Sequence, residues 1–256
     1  MSQPARPDPR APHPGTTIYG PVPAPSGAAG PAQPPVGTLR RLASPVTWPR
    51  RPGHPVPGWT VVSASLSPVL ATGGWLIAGA VQPASYSPIG KTISVMAGQA
   101  GTDRWIMTGA LFLVGLCQFV TAAGLAGIRV PARILLAVAG LSSIGIAVSP
   151  EPARGSTPQH LAWTALGAVA IAVWPALVAR RAPPRPLILS NYGRAVVTGV
   201  FIALLCWLVI ETQGGGDLGL AERLFLSIET CWPFVVAVTL RRQTAKTVSE
   251  LTGQWH

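Results

Sequence analysis

The chain has 256 residues, of which 48% are apolar and only 11% charged, with a mean hydropathy of +0.41. Soluble domains usually carry about a quarter charged residues, so this composition excludes an ordinary soluble enzyme and implies a membrane protein. The net charge of +11 does not imply nucleic acid, because the basic residues cluster beside apolar blocks, and no nucleic-acid partner is expected.

Residues 1–57 are rich in Pro, Gly, Ala and Ser and hold almost no long aliphatic run. Such a segment buries too little apolar area to offset ordering entropy, so a disordered Pro-rich tail is predicted. Its prolines, Pro21 to Pro25 and Pro31 to Pro35 among them, also fit a docking strip for a cytoplasmic partner. The start of the chain lacks the basic-then-apolar pattern of a cleaved signal peptide.

Six apolar blocks follow, near 59–81, 104–127, 131–149, 159–179, 194–211 and 220–240. A span needs about 17–25 apolar residues, so the fold class is all-α: a polytopic bundle of about six transmembrane helices over residues 58–242. The third and fifth blocks are the shortest. Residues 243–256 read as a C-terminal tail. Between spans one and two, Ser87-Pro88 starts a short amphipathic helix with Ile89, Ile93 and Met96 at helical spacing. Gly98 ends it. Thr102-Asp103 is expected to cap span two, and Thr157-Pro158 to cap span four with His160 in its first turn. Trp174-Pro175 and Trp232-Pro233 predict kinks late in spans four and six.

The basic residues alternate between connections. Arg40, Arg41, Arg50 and Arg51 precede span one, and Arg129 and Arg133 separate spans two and three. Arg180, Arg181, Arg185 and Arg194 lie between four and five, and Arg241, Arg242 and Lys246 follow six. The other connections carry Lys91, Arg104, Arg154 and Arg223 among Asp103, Glu151, Glu211, Asp217 and Glu222. Excess Lys and Arg marks the cytoplasmic face, so both termini of a plasma-membrane protein are expected inside. The same Arg clusters would attract anionic lipid.

Glu229 stands out among apolar residues of span six. An ionisable group in hydrocarbon costs roughly 2.5–3.5 kcal/mol on insertion scales, so it must face protein or a watery cavity. Pro233 lacks an N–H, which frees the carbonyl of Glu229 itself. The pair reads either as a polar site or as a cross-link to a neighbouring helix. Glu222 shares its face about 10 Å away. With His160, Ser94 and Arg104, these residues make a candidate polar pocket on the outer side. Ser94, His160 and a glutamate form a triad only on paper, since no Gly-x-Ser-x-Gly elbow is present, and no catalytic residue is assigned. His160 is alone among the spans, so no metal is expected. No phosphate-binding loop or cofactor motif is visible, and Cys117, Cys206 and Cys231 behave as small apolar residues. Gln118 reads as a bond to a neighbouring helix.

The string from Tyr86 to Ser94, then Asp103 to Thr108, resembles the uncharacterised bacterial membrane family catalogued as domain of unknown function 998. Trp174-Pro175 and the acidic-Arg pair Glu222-Arg223 match it too, over roughly residues 66–242. The resemblance implies an integral membrane protein of about six helices, of actinobacterial type, and no assigned chemistry. An abundance of Ala, Gly, Pro and Arg is the composition of a GC-rich genome. Three functions stay open: a transporter-like or small-ligand-binding protein with an outward-facing pocket, a membrane anchor presenting the Pro-rich tail, and an intramembrane lipid-acting enzyme. The balance is against an enzyme.

Overall fold

The computed structural model describes residue 20, residues 55–179 and residues 186–253. The chain divides into Met1–Arg50 and Arg51–His256, and the helices among the described residues belong to the second unit. Most of the predicted Pro-rich tail, with Arg40, Arg41, Arg50 and Arg51, lies outside the described residues, as do Arg180, Arg181 and Arg185.

Seven α-helices are present among the described residues, with no strand. They are α1 (Gly58–Ala80), α2 (Ile93–Ala97), α3 (Trp105–Gly124), α4 (Val130–Val148), α5 (Pro158–Leu177), α6 (Asn191–Glu211) and α7 (Leu218–Gly253), with a 3-10 turn at Leu187–Leu189. All but α2 are long and apolar enough to cross a membrane. The protein is therefore a multi-pass membrane protein, and exposed side chains such as Leu76, Ile134, Val169 and Ile210 face lipid. α7 runs on past the continuous apolar run that ends at Leu240 because nothing between Arg241 and Thr252 breaks a helix, and Gly253 is its last residue.

Short connections make successive spans antiparallel neighbours. α1 packs on α3, α3 on α4, α4 on α5, α5 on α6, α6 on α7, and α7 returns to α1. The six spans thus form a closed ring. One end carries residues 81–104, 149–157 and 212–217 and is called the loop end below. α2 sits there against α1, α3 and α7, and its Ile93, Ser94, Met96 and Ala97 are buried.

Lipid gives helices no hydrophobic reason to associate, so close backbone approach and polar contacts hold them. α3 and α4 meet at glycines: a Cβ on Gly115 would lie 2.5 Å from the Gly140 carbonyl oxygen, and one on Gly140 would lie 2.7 Å from that of Gly115. The Ser63 hydroxyl on α1 donates to the Cys117 carbonyl at 2.7 Å. Arg133 donates to the carbonyls of Ala122 and Ala123 at 2.8 and 3.1 Å, which satisfies the orphan C-terminal carbonyls of α3. The Trp174 indole, fully buried, donates to Ala132 on α4 at 2.8 Å.

Two local expectations differ from the structure. Asp103 does not cap α3; it adopts φ 46°, and Arg104 at the cap position makes no side-chain capping bond. α2 begins at Ile93 rather than at Ser87-Pro88, capped by the Thr92 hydroxyl, which accepts from Val95 N–H at 3.2 Å. Thr157 does cap α5, accepting from the His160 N–H at 3.2 Å.

Gly115→Val should overpack the α3–α4 contact and destabilise the protein by about 1–3 kcal/mol. Gly109 has open space around its would-be Cβ, so Gly109→Ala should cost nothing. Thermal denaturation in detergent separates the two; equal melting temperatures would contradict this packing.

Candidate functional site

The site begins with two consecutive residues in the first turns of α7. Arg223 is 6% exposed, and its Nη1 donates to the carbonyls of Pro88, Lys91 and Gly219 at 2.5, 2.8 and 2.8 Å. Its Nη2 donates to the Tyr86 hydroxyl, and the guanidinium lies 5.6 Å from the Trp75 ring centroid. Gly219 allows this approach, since a Cβ there would collide with the Lys91 and Pro88 carbonyls. Burial pushes the Tyr86 phenol above its ordinary range, with Arg223 pulling in the opposite direction.

Glu222 holds the next stretch. Its Oε2 accepts from the Ile93 N–H, and the Ser94 hydroxyl lies 3.4 Å from its Oε1. This clasp explains the late start of α2. With the Pro88 and Lys91 carbonyls committed to Arg223 and Lys91 N–H bonded to the Ser87 carbonyl at 2.9 Å, residues 87–91 close into a turn.

His160 approaches the same point from α5. It is 2% exposed, and Nδ1 lies 2.7 Å from the Ser149 carbonyl oxygen. A carbonyl only accepts, so Nδ1 carries a proton. In the neutral ring this leaves the lone pair on Nε2, which is 3.2 Å from Ser94 Oγ and 3.5 Å from Glu151 Oε1.

These groups border a cavity of about 300 Å³ inside the ring. Ser94, His160, Glu222 and Glu229 all line it, together with Glu151 and Gln118. Arg104 does not: its guanidinium stacks on Trp105 at 4.1 Å, because α3 begins with that pair at its exposed tip. At 1.5 Å per residue, Glu229 lies about 17 Å from the start of α7 and Gln118 about 20 Å from the start of α3, so the cavity reaches mid-membrane.

Its inner part contains unmet acceptors. Glu229 Oε2 and Gln118 Oε1 are buried and have no hydrogen-bond partner among the described residues. Gln118 therefore differs from its expected role as an interhelical bond. Glu151 escaped attention in the sequence because it resembles any loop acid; only the return of residues 149–151 over His160 reveals it. Among the described residues, no three of His, Cys, Asp and Glu come together as a metal ion would need.

The strings from Tyr86 to Ser94 and Glu222-Arg223, far apart in sequence, thus meet at one corner of the bundle. A family model matches residues 65–239. The chain belongs to the family described as Protein of unknown function (DUF998). The matched region of this DUF998 member contains every residue of the clasp and of the cavity wall. No curated protein and no solved structure matches the chain.

Arg223→Met keeps the stem but removes every guanidinium bond, each a hydrogen bond to a charged group, worth about 1.5–3 kcal/mol. It should lower the melting temperature far more than Tyr86→Phe, which removes one. Similar losses in the two variants would contradict the clasp.

Proposed function

We propose that this plasma-membrane protein, with both termini cytoplasmic, binds a small ligand in a pocket that faces outward, as a transporter-like or ligand-binding protein does. The observation that carries this reading is the cavity. Intramembrane acids are costly and mark substrate or ion sites when they face an internal space, and Glu229 lines this one with an unpartnered oxygen. Small-ligand sites are of this size, mostly apolar with a few convergent polar groups.

The orientation is supported by charge. The connections at the opposite end carry Arg129, Arg133 and Arg194, and Arg241, Arg242 and Lys246 follow the last span on that side. The loop end is poor in basic residues and rich in acids, as expected outside. The basic clusters would hold anionic lipid in the inner leaflet. The anchoring role through a Pro-rich tail concerns residues outside those described.

Cysteine labelling tests orientation and pocket together. With Cys117, Cys206 and Cys231 replaced by Ala, Thr164→Cys on the cavity wall should react with a membrane-impermeant thiol reagent added to intact cells. A cysteine at Arg129 should not. Labelling at Arg129 alone would overturn the outward-facing pocket.

A second reading has its own observation. Ser94 Oγ lies 3.2 Å from His160 Nε2, and the Ser149 carbonyl fixes the tautomer that lets the imidazole take the serine proton. This geometry suits cleavage of a lipid ester. A fluorophosphonate probe should then label the wild type and not Ser94→Ala; an unlabelled wild type eliminates this reading.

A further inference from the structure

The hydrogen-bonding groups of the cavity wall are biased towards acceptors. Three carboxyls line it, those of Glu151, Glu222 and Glu229. The wall hydroxyls have mostly used their protons elsewhere. Ser143 donates to the Leu111 carbonyl at 2.8 Å, Thr164 to His160 at 3.0 Å and Thr212 to Val209 at 2.6 Å. The single Ser94 proton goes either to His160 Nε2 or to Glu222 Oε1. The lone pairs of these hydroxyls are what remain for an occupant.

No Lys or Arg is among the lining residues. Arg223 sits beside Glu222 in sequence, but its Nη groups are committed to three carbonyls and Tyr86. Arg104 is stacked on Trp105, and Lys91 is exposed. The inner wall adds a second observation. Gln118 is 3% exposed, lines the cavity, and has an amide oxygen without a partner among the described residues, as does Glu229. A buried acceptor left unmet pays its full desolvation cost, and an occupant with N–H donors would recover it. The rest of the wall is apolar, with Leu111, Val114, Ile146 and Phe225.

We infer that the cavity takes a small primary or secondary ammonium on an apolar body, its N–H groups donating to Glu229 and Gln118. The inference rests on the ligand-binding reading above. An anion would meet three carboxyls on the wall, while the guanidinium beside them, Arg223, is turned onto the loop carbonyls and Tyr86. A quaternary ammonium would bring charge but no N–H, and so would leave both oxygens unmet. The cavity of about 300 Å³ lies at the lower end of the roughly 300–1,000 Å³ of small-ligand pockets, which favours a compact occupant.

Calorimetric titration of the full chain in nanodiscs at pH 7 tests this with four probes of similar size. They are 2-phenylethylammonium, its N,N,N-trimethyl analogue, 2-phenylethanol and 3-phenylpropanoate. The primary ammonium should bind at least tenfold more tightly than each of the others. Glu229→Gln should weaken it at least tenfold, and Gln118→Leu at least threefold, with ligand-free melting temperatures near wild type. Equal affinity of the trimethyl analogue overturns N–H donation. Equal or tighter binding of the alcohol or the carboxylate overturns the ammonium assignment while leaving the pocket as a binding site. Unchanged ammonium affinity in a folded Glu229→Gln or Gln118→Leu variant overturns the assigned contacts. Binding by none of the four overturns both this inference and the ligand-binding reading.

Discussion

Arg223 draws the Pro88 and Lys91 carbonyls and the Tyr86 hydroxyl onto the first turns of α7. The rest of the loop end depends on that contact. Residues 81–92 contain no helix to satisfy their backbone groups internally, and backbone near the hydrocarbon must be satisfied by protein or water. A planar guanidinium with five donors in a fixed fork suits this task, where a flexible ammonium does not. Glu222 completes the contact by accepting from Ile93 N–H. One carboxylate and one guanidinium, adjacent in sequence, therefore fix where α2 begins. That start sets Ser94 beside His160.

The ring leaves the cavity at one end for a related reason. Away from the loop end, Leu125, Ile128, Leu136, Trp174, Val178 and Leu240 are all but completely buried and fill the interior. Toward the loop end, the inward positions of α5 and α7 include the polar side chains of His160, Thr164, Glu222 and Glu229. Packing such groups against apolar neighbours costs free energy wherever a hydrogen bond is not supplied, and the space between them stays open. The same residues that prevent close packing give the cavity its polar character.

The six spans were legible because hydropathy over about 20 residues is a strong signal with few competitors. Three of the pocket candidates, His160, Glu222 and Glu229, could be named for the same reason: a Glu or His among apolar residues stands out wherever it lies. What sequence did not supply was tertiary. Arg104 looked equivalent to its neighbours, yet its register at the tip of α3 sends it onto Trp105. Glu151 and Gln118 carried no distinguishing pattern, since their proximity to the cavity arises from how the loop returns and which face of α3 turns inward. The start of α2 was misplaced because Ser87-Pro88 is a sound local helix signal, and a contact from residue 223 overrides it. In the sequence Arg223 is one of the few basic residues of an outer connection and half of the Glu222-Arg223 pair, and its burial is visible only in the folded ring.

Hydrogen–deuterium exchange tests the central role of the clasp most directly, by following the amides of residues 86–97 in the wild type and in Arg223→Met. If Arg223 and Glu222 build the loop end, the Ile93 and Lys91 amides exchange slowly in the wild type. They should speed up by at least tenfold in the variant, while amides in the centre of α4 keep their rates. Unchanged protection of residues 86–97 in a folded Arg223→Met protein would contradict the account.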